Sequence, residues 1–129
     1  MVNREKLIAL RPSLSLDQAS SEVEQFQNEV LRPILKFQHE LLLAIFQHYV
    51  DQRKGVFHKL NPKEKLSYIQ HSVQKDSKLR ELLIGLVLGH FTLEEWEKYL
   101  AEEKAIRKRM IDLLVQRIQD GIKHTFHSP

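Results

Sequence analysis

The side chains best placed to do chemistry in this sequence are polar residues that interrupt apolar helical stripes. His48 falls in the centre of one such stripe. Glu103 and Arg107 fall on a second, four residues apart with the glutamate first, the order that favours pairing along a helix. Arg117 lies nearer that stripe's edge. If the segments carrying the two stripes run antiparallel, His48 comes near Trp96, Leu100 and Glu103. An imidazole, a carboxylate and a guanidinium beside an indole suit the binding of a small polar ligand, or acid–base work. His48, Trp96, Glu103 and Arg107 are therefore the candidate ligand-binding set. The simpler reading of the same residues is an internal ion pair with a hydrogen-bonded histidine that fixes helix register.

Other chemistries find no motif. The chain has no cysteine, which excludes a disulfide, a catalytic thiol, a zinc–cysteine site and an iron–sulfur cluster. It also fits a reducing compartment. A di-iron bundle needs Glu-x-x-His on two helices, and no glutamate here has a histidine three residues later. Asp120, His124 and His127 have helical spacing, but they sit at a C-terminal end where a solvated tail is expected. No GxGxxG, phosphate-binding loop or Gly-x-Ser-x-Gly is present. We expect no catalytic residue, no metal and no cofactor.

The elements that must position these side chains are helical. No segment alternates apolar and polar residues with a period of two. Helix A opens at Ser21-x-x-Glu24, a capping box, and reaches Lys54, where Gly55 stops it. Pro33 lies inside it, so a kink or break is expected near Glu29 to Arg32. Its apolar residues form two adjacent stripes. The first runs Val23, Phe26, Val30, Ile34, Phe37, Leu41, Ala44 and Ile45; the second runs Leu31, Leu35, Leu42, Phe46 and Tyr49. Together they span roughly 200° of arc, wider than the ~100° that a one-sided helix needs. Helix A must be covered on two sides.

Helix B begins at Asn61-Pro62 and reaches about Gln74, with Leu66, Ile69 and Val73 on its stripe. Helix C follows the cap Asp76 and ends at Gly89; its apolar residues point in nearly all directions, so it is expected to be the most buried element. Gly85 and Gly89, one turn apart, leave room for another helix to approach closely. Helix D starts at a second capping box, Thr92-x-x-Glu95, and continues to about Thr125. Its stripe is Trp96, Leu100, Met110, Ile111, Leu114, Ile118 and Ile122. Residues 1–19 form an N-terminal arm, in which Leu7, Ile8 and Leu10 suit a short turn and Leu14 and Leu16 could lie across the bundle.

Two long helices thus flank two short ones. The expected fold class is all-α, one domain over residues 20–129 in a four-helix up-down arrangement with A antiparallel to D. The long helices, each about 50 Å, outreach B and C, and a homodimer that buries the excess is the natural solution. The chain carries 20 Lys+Arg against 17 Asp+Glu. That excess is small, and Lys104, Arg107, Lys108 and Arg109 scatter around their helix. Nucleic acid is therefore not an expected partner. Helices B and C invite a helix-turn-helix comparison, but C is too apolar to lie in a groove. The N-terminus lacks the apolar run of a signal peptide, and Leu82 to Leu88 is too short for a membrane span; a cytoplasmic location is expected.

Four segments carry a family resemblance: Leu31-Arg-Pro-Ile-Leu-Lys36, Lys65-Leu-Ser-Tyr-Ile69, Gly85-Leu-Val-Leu-Gly-His-Phe-Thr92 and Lys108-Arg-Met-Ile111. On these the chain resembles a family of short, uncharacterised all-helical bacterial proteins over nearly its whole length. Some members carry the label glyoxalase, yet the metal-dependent glyoxalase fold supplies its ligands from β-strands, which this sequence does not encode. The resemblance implies a helical fold and no established activity, and no functional residue carries over. The expected function is that of a non-enzymatic, self-associating interaction or regulatory protein. The alternative is a protein or enzyme with a small-molecule pocket between the two long helices.

Overall fold

The computed structural model describes residues 21–127, with side chains through residue 123. The expectations for the N-terminal arm, and for the side chains of His124 and His127, lie outside the described residues. All regular structure among the described residues is helical.

Residues 21–26 are helical and lead into a π-helical turn, Gln27–Leu31. There the Arg32 N–H bonds to the Gln27 carbonyl, five residues back. The cause is Pro33. It offers no N–H to the Glu29 carbonyl, and its ring crowds the preceding turn. Widening that turn by one residue relieves both problems without ending the helix. A π turn thus stands where a kink or break was expected near Glu29 to Arg32, and the helix continues through it.

Helix α1 (Arg32–Phe37) follows. A second interruption comes at Gln38, with φ −92° and ψ 7°, where neither proline nor glycine marks the sequence. The buried Gln38 side chain donates to the Leu86 carbonyl at 3.1 Å, so a long-range contact holds this joint. Helix α2 (His39–Asp51) then ends before Lys54 and Gly55, which take φ of 59° and 68°. Two successive left-handed residues reverse the chain, and a short 3₁₀ turn, Phe57–Lys59, seats the buried Phe57 against Phe46.

Helix α3 (Pro62–Lys75) begins with a full capping box: Asn61 accepts from the Glu64 amide, and the Glu64 side chain accepts from the Asn61 amide. Helix α4 (Ser77–Leu88) is capped by Asp76 and closed at Gly89. Helix α5 (Leu93–Ala101) opens with the Thr92–Glu95 capping box. These starts match the sequence expectation because a cap is written within four residues.

Helix D is not continuous. Glu102, at φ −132° and ψ 40°, separates α5 from α6 (Glu103–His127). The break lets α5 lean inward on Tyr99, which is buried, while Trp96 and Leu100 face outward. Ile106, Met110 and Leu114 then carry the core along α6.

The pairing of the long segments also departs from expectation. Gln27 accepts from Arg109 at 2.9 Å, and Leu43 lies against Gly121. Residue numbers rise together along both, so the α1–α2 run is parallel to α6, not antiparallel. A four-helix up-down bundle does not describe this arrangement. Instead α4 returns antiparallel beside α2, from Asp76 at Tyr49 to Leu86 at Gln38. Meanwhile α3 packs on α6, where Gln119 donates to the Leu66 carbonyl at 2.9 Å. One apolar core runs through all of these, from Val23 and Phe26 to Leu114 and Ile118.

Candidate functional site

Parallel pairing separates the four residues singled out from the sequence. Phe26 meets Phe91 edge to face with centroids 5.5 Å apart; Phe91 meets Tyr99 at 5.8 Å; Tyr99 stacks on Trp96 at 5.5 Å. Trp96 therefore lies at the Phe26 end of the molecule. His48 lies roughly 30 Å further along the same helical run and is exposed. The placement of His48 beside Trp96, Leu100 and Glu103 required antiparallel helices and is overturned with them. Glu103 is exposed in the first turn of α6.

Arg107 and Trp96 do converge, each on Tyr99. Arg107 is partly buried, pairs with Glu81 of α4, and is within hydrogen-bonding reach of Tyr99. Burial works against its charge, but the bonds to Tyr99 and Glu81 outweigh it and raise its pKa. Glu81 also meets Arg80 at 3.4 Å, and Arg80 donates to the Gln74 carbonyl at 2.8 Å. Arg107 thus ties α6 to α4, and the simpler reading, an ion pair that fixes packing, describes it with Glu81 in place of Glu103.

Two further polar clusters come together across the sequence. In the first, Asp76 accepts from the Tyr49 hydroxyl at 2.8 Å and from Arg53 at 3.0 Å, while its other oxygen accepts from the Lys78 and Leu79 amides. Arg53 also sits over the Tyr49 ring, 3.5 Å from its centroid. The hydrogen bond from Tyr49, the Leu79 amide and Arg53 hold the Asp76 carboxyl below its usual range. Burial, followed by the Asp76 bond, pushes the Tyr49 phenol up. Both Asp76 oxygens are occupied, and the cluster acts as a clasp between α2 and the start of α4.

In the second, His58 Nε2 lies 3.1 Å from Asp51 and 3.2 Å from Gln47 Nε2, and Gln47 donates to the same Asp51 oxygen at 3.0 Å. The bond with His58 holds the Asp51 carboxyl low. This is a histidine–carboxylate pair on an exposed surface. No hydroxyl or amine nucleophile is hydrogen-bonded to it among the described residues. Among these cluster residues the sequence marked Asp76 as a cap and Tyr49 as part of an apolar stripe, and neither as a member of a polar cluster.

Among the grooves that border the long segments, two combine charged side chains of both signs with an apolar floor. One, of about 360 Å³, lies between α1–α2 and α6 and holds Arg32, His39, Arg117 and Asp120. The other, of about 670 Å³, lies between residues 22–30 and α5. It is rimmed by Glu22, Glu29, Glu94, Glu95 and Glu102, with Lys98 opposing them. None of His48, Trp96, Glu103 and Arg107 lines either. Among the described residues no group of three acidic, histidine or cysteine side chains could hold a metal ion, and no helix is long and apolar enough to cross a membrane.

What the surface does offer is apolar. Phe37 is 79% exposed, Leu93 83%, Leu82 52% and Leu41 49%. Leu93, Trp96 and Leu100 follow one another at helical spacing on α5. Comparison with family models, with curated proteins and with solved structures finds no match to this chain.

Proposed function

We propose that this protein is a non-enzymatic helical interaction module that works by associating with itself. The observation that carries the reading is the pair of uncovered apolar stripes on the outside of the fold: Phe37, Leu41 and Leu82 across α1, α2 and α4, and Leu93, Trp96 and Leu100 on α5. Isolated exposed apolar residues are ordinary, but grouped large ones mark interaction surfaces. The polar clusters point the same way, since Arg107 and Asp76 are engaged in holding helices together and hold no polar group out to a substrate.

A second reading, a small polar ligand between the long segments, would use the groove with Arg32, His39, Arg117 and Asp120 rather than the four residues expected from the sequence. Native mass spectrometry of protein purified without added ligand separates the two. The expected spectrum shows a dimer whose share grows with protein concentration and which carries no extra mass. A monomer retaining a small molecule that is lost on denaturation would replace the first reading with the second.

A further inference from the structure

The groove between α1–α2 and α6 gathers basic side chains from both of its walls. On one wall Arg32, Leu35 and His39 follow at i, i+3 and i+7 and so share a helical face. On the other, Leu113, Gln116, Arg117, Asp120 and Gly121 share a face of α6. Leu35 and Leu113 are buried beneath these polar groups. The two contacts that set the parallel register, Gln27 with Arg109 and Leu43 with Gly121, are each offset by about 80 residues. At that offset Arg117 stands level with a point between Arg32 and His39. Arg32 and Arg117 are then about five residues, or ~8 Å, apart along the helices. Two extended arginine side chains on facing walls reach one ligand across that distance.

None of these three basic side chains meets a carboxylate inside the fold. Arg32 donates from Nε to the neutral Asn28 side chain at 3.0 Å. Arg117 is partly buried, yet it makes no ion pair or hydrogen bond among the described residues. The Nδ1 atom of His39 is buried with no hydrogen-bond partner. Buried polar groups are ordinarily paired, so each exception asks for a cause. The arginines that hold the fold together behave differently: Arg53, Arg80 and Arg107 each lie on a carboxylate. Asp120 borders the groove but pairs with neither arginine among the described residues. The positive charge also continues past Arg32, which borders a neighbouring groove with Lys108, Arg109 and Asp112.

We infer that this groove binds a phosphate group carried on a small organic molecule, with Arg32 and Arg117 gripping it from opposite walls and His39 beside them. The donors select the ligand. A carboxylate has two oxygens, and a single guanidinium fork occupies both. A phosphate has three oxygens and up to two negative charges, enough to serve two guanidiniums and an imidazole together. The volume of about 360 Å³ lies at the small end of ligand sites, and Leu35 and Leu113 offer apolar contact to the organic part. The inference rests on the second reading above and gives it a ligand class; it holds whether or not the chain self-associates.

An amide NMR titration of the isotope-labelled chain with phenyl phosphate, in a phosphate-free buffer of low ionic strength, tests this. Saturable shifts are expected around Arg32, His39 and Arg117, with a dissociation constant on the order of 1 mM. Benzyl alcohol, which keeps a ring but has no charge, should leave those amides in place. Arg32→Gln and Arg117→Gln should each weaken binding about ten-fold. Both side chains reach solvent, so the variants keep the wild-type melting temperature within a few degrees. Asp120→Asn removes the one carboxylate that borders the groove and should tighten binding about two-fold. A purely structural role for these residues gives no such gain. Lys98→Gln, in the other groove, should change nothing. Shifts that never saturate, or binding that survives both arginine substitutions, overturn the inference. Benzoate bound as tightly as phenyl phosphate overturns the choice of phosphate. Benzyl alcohol bound in the groove as tightly overturns the anion while the second reading stands. If no compound shifts the groove amides, the inference falls, and the native mass spectrum judges the second reading separately.

Discussion

Asp76 concentrates more of this fold in one side chain than any other polar residue described. One of its oxygens caps α4 through the Lys78 and Leu79 amides, and the other receives Tyr49 and Arg53 from α2 and the turn after it. Removing it loses a cap and leaves a part-buried phenol without its acceptor. Asp76→Ala should therefore cost about 1–2 kcal/mol in urea unfolding. The acid dependence has a definite sign. The folded carboxyl titrates below the ordinary value of 3.8, so its contribution is full above that value and is lost as pH falls through the lowered folded one. Asp76→Asn keeps an acceptor without the charge. The stability gap between wild type and Asp76→Asn should narrow as pH drops below about 4, and a gap constant from pH 2 to 7 would refute the clasp.

At the scale of elements, two contacts decide how helices meet. At Gly121 the Leu43 side chain of α2 lies close against α6: an added Cβ would lie 2.5 Å from a Leu43 methyl carbon and 3.1 Å from its Cγ. A leucine there must displace the Leu43 side chain or push the parallel pair apart, so Gly121→Leu should cost about 1–3 kcal/mol. Adding Leu43→Ala should recover part of that loss, since the two sites share one space. Equal losses with and without the second substitution would remove Leu43 as the cause.

The break at Glu102 gives a second contrast within one helix. Tyr99 anchors α5 in the core, whereas Trp96 stacks on it from outside and is 40% exposed. Tyr99→Ala should cost about 3–4 kcal/mol, and Trp96→Ala under half as much. Calorimetry of the two variants checks the order. A larger loss at Trp96 would mean that α5 packs as the unbroken stripe of Trp96 and Leu100 requires.

For the whole molecule, α4 and α6 flank α2 and the core lies beneath it, which leaves the outer stripe of Phe37, Leu41 and Ala44 to solvent. Self-association through that stripe, as proposed, would stabilise the folded state by mass action. The wild-type melting temperature should then climb between 10 μM and 1 mM protein, and Leu41→Glu should flatten that climb. Identical slopes for the two would detach association from this stripe.

The all-helical class, the starts of α3, α4 and α5, the stop at Gly89 and the strained turn before Pro33 were all legible in the sequence. Each is decided within four or five residues, by a side chain reaching a nearby amide or by a proline lacking one. The excess apolar arc of helix A was legible for a similar reason, since it follows from helical periodicity alone. The tertiary structure decided which part of that arc is buried. It also decided that the long segments run parallel, that Gln38 and Glu102 interrupt their helices without glycine or proline, and that Arg107 pairs with Glu81 instead of Glu103. These outcomes depend on contacts between residues tens of positions apart, such as the hydrogen bond from Gln38 to the Leu86 carbonyl and the packing of Leu43 against Gly121. No local pattern records such contacts, and so the four-residue site assembled on an antiparallel pairing dispersed when the pairing proved parallel.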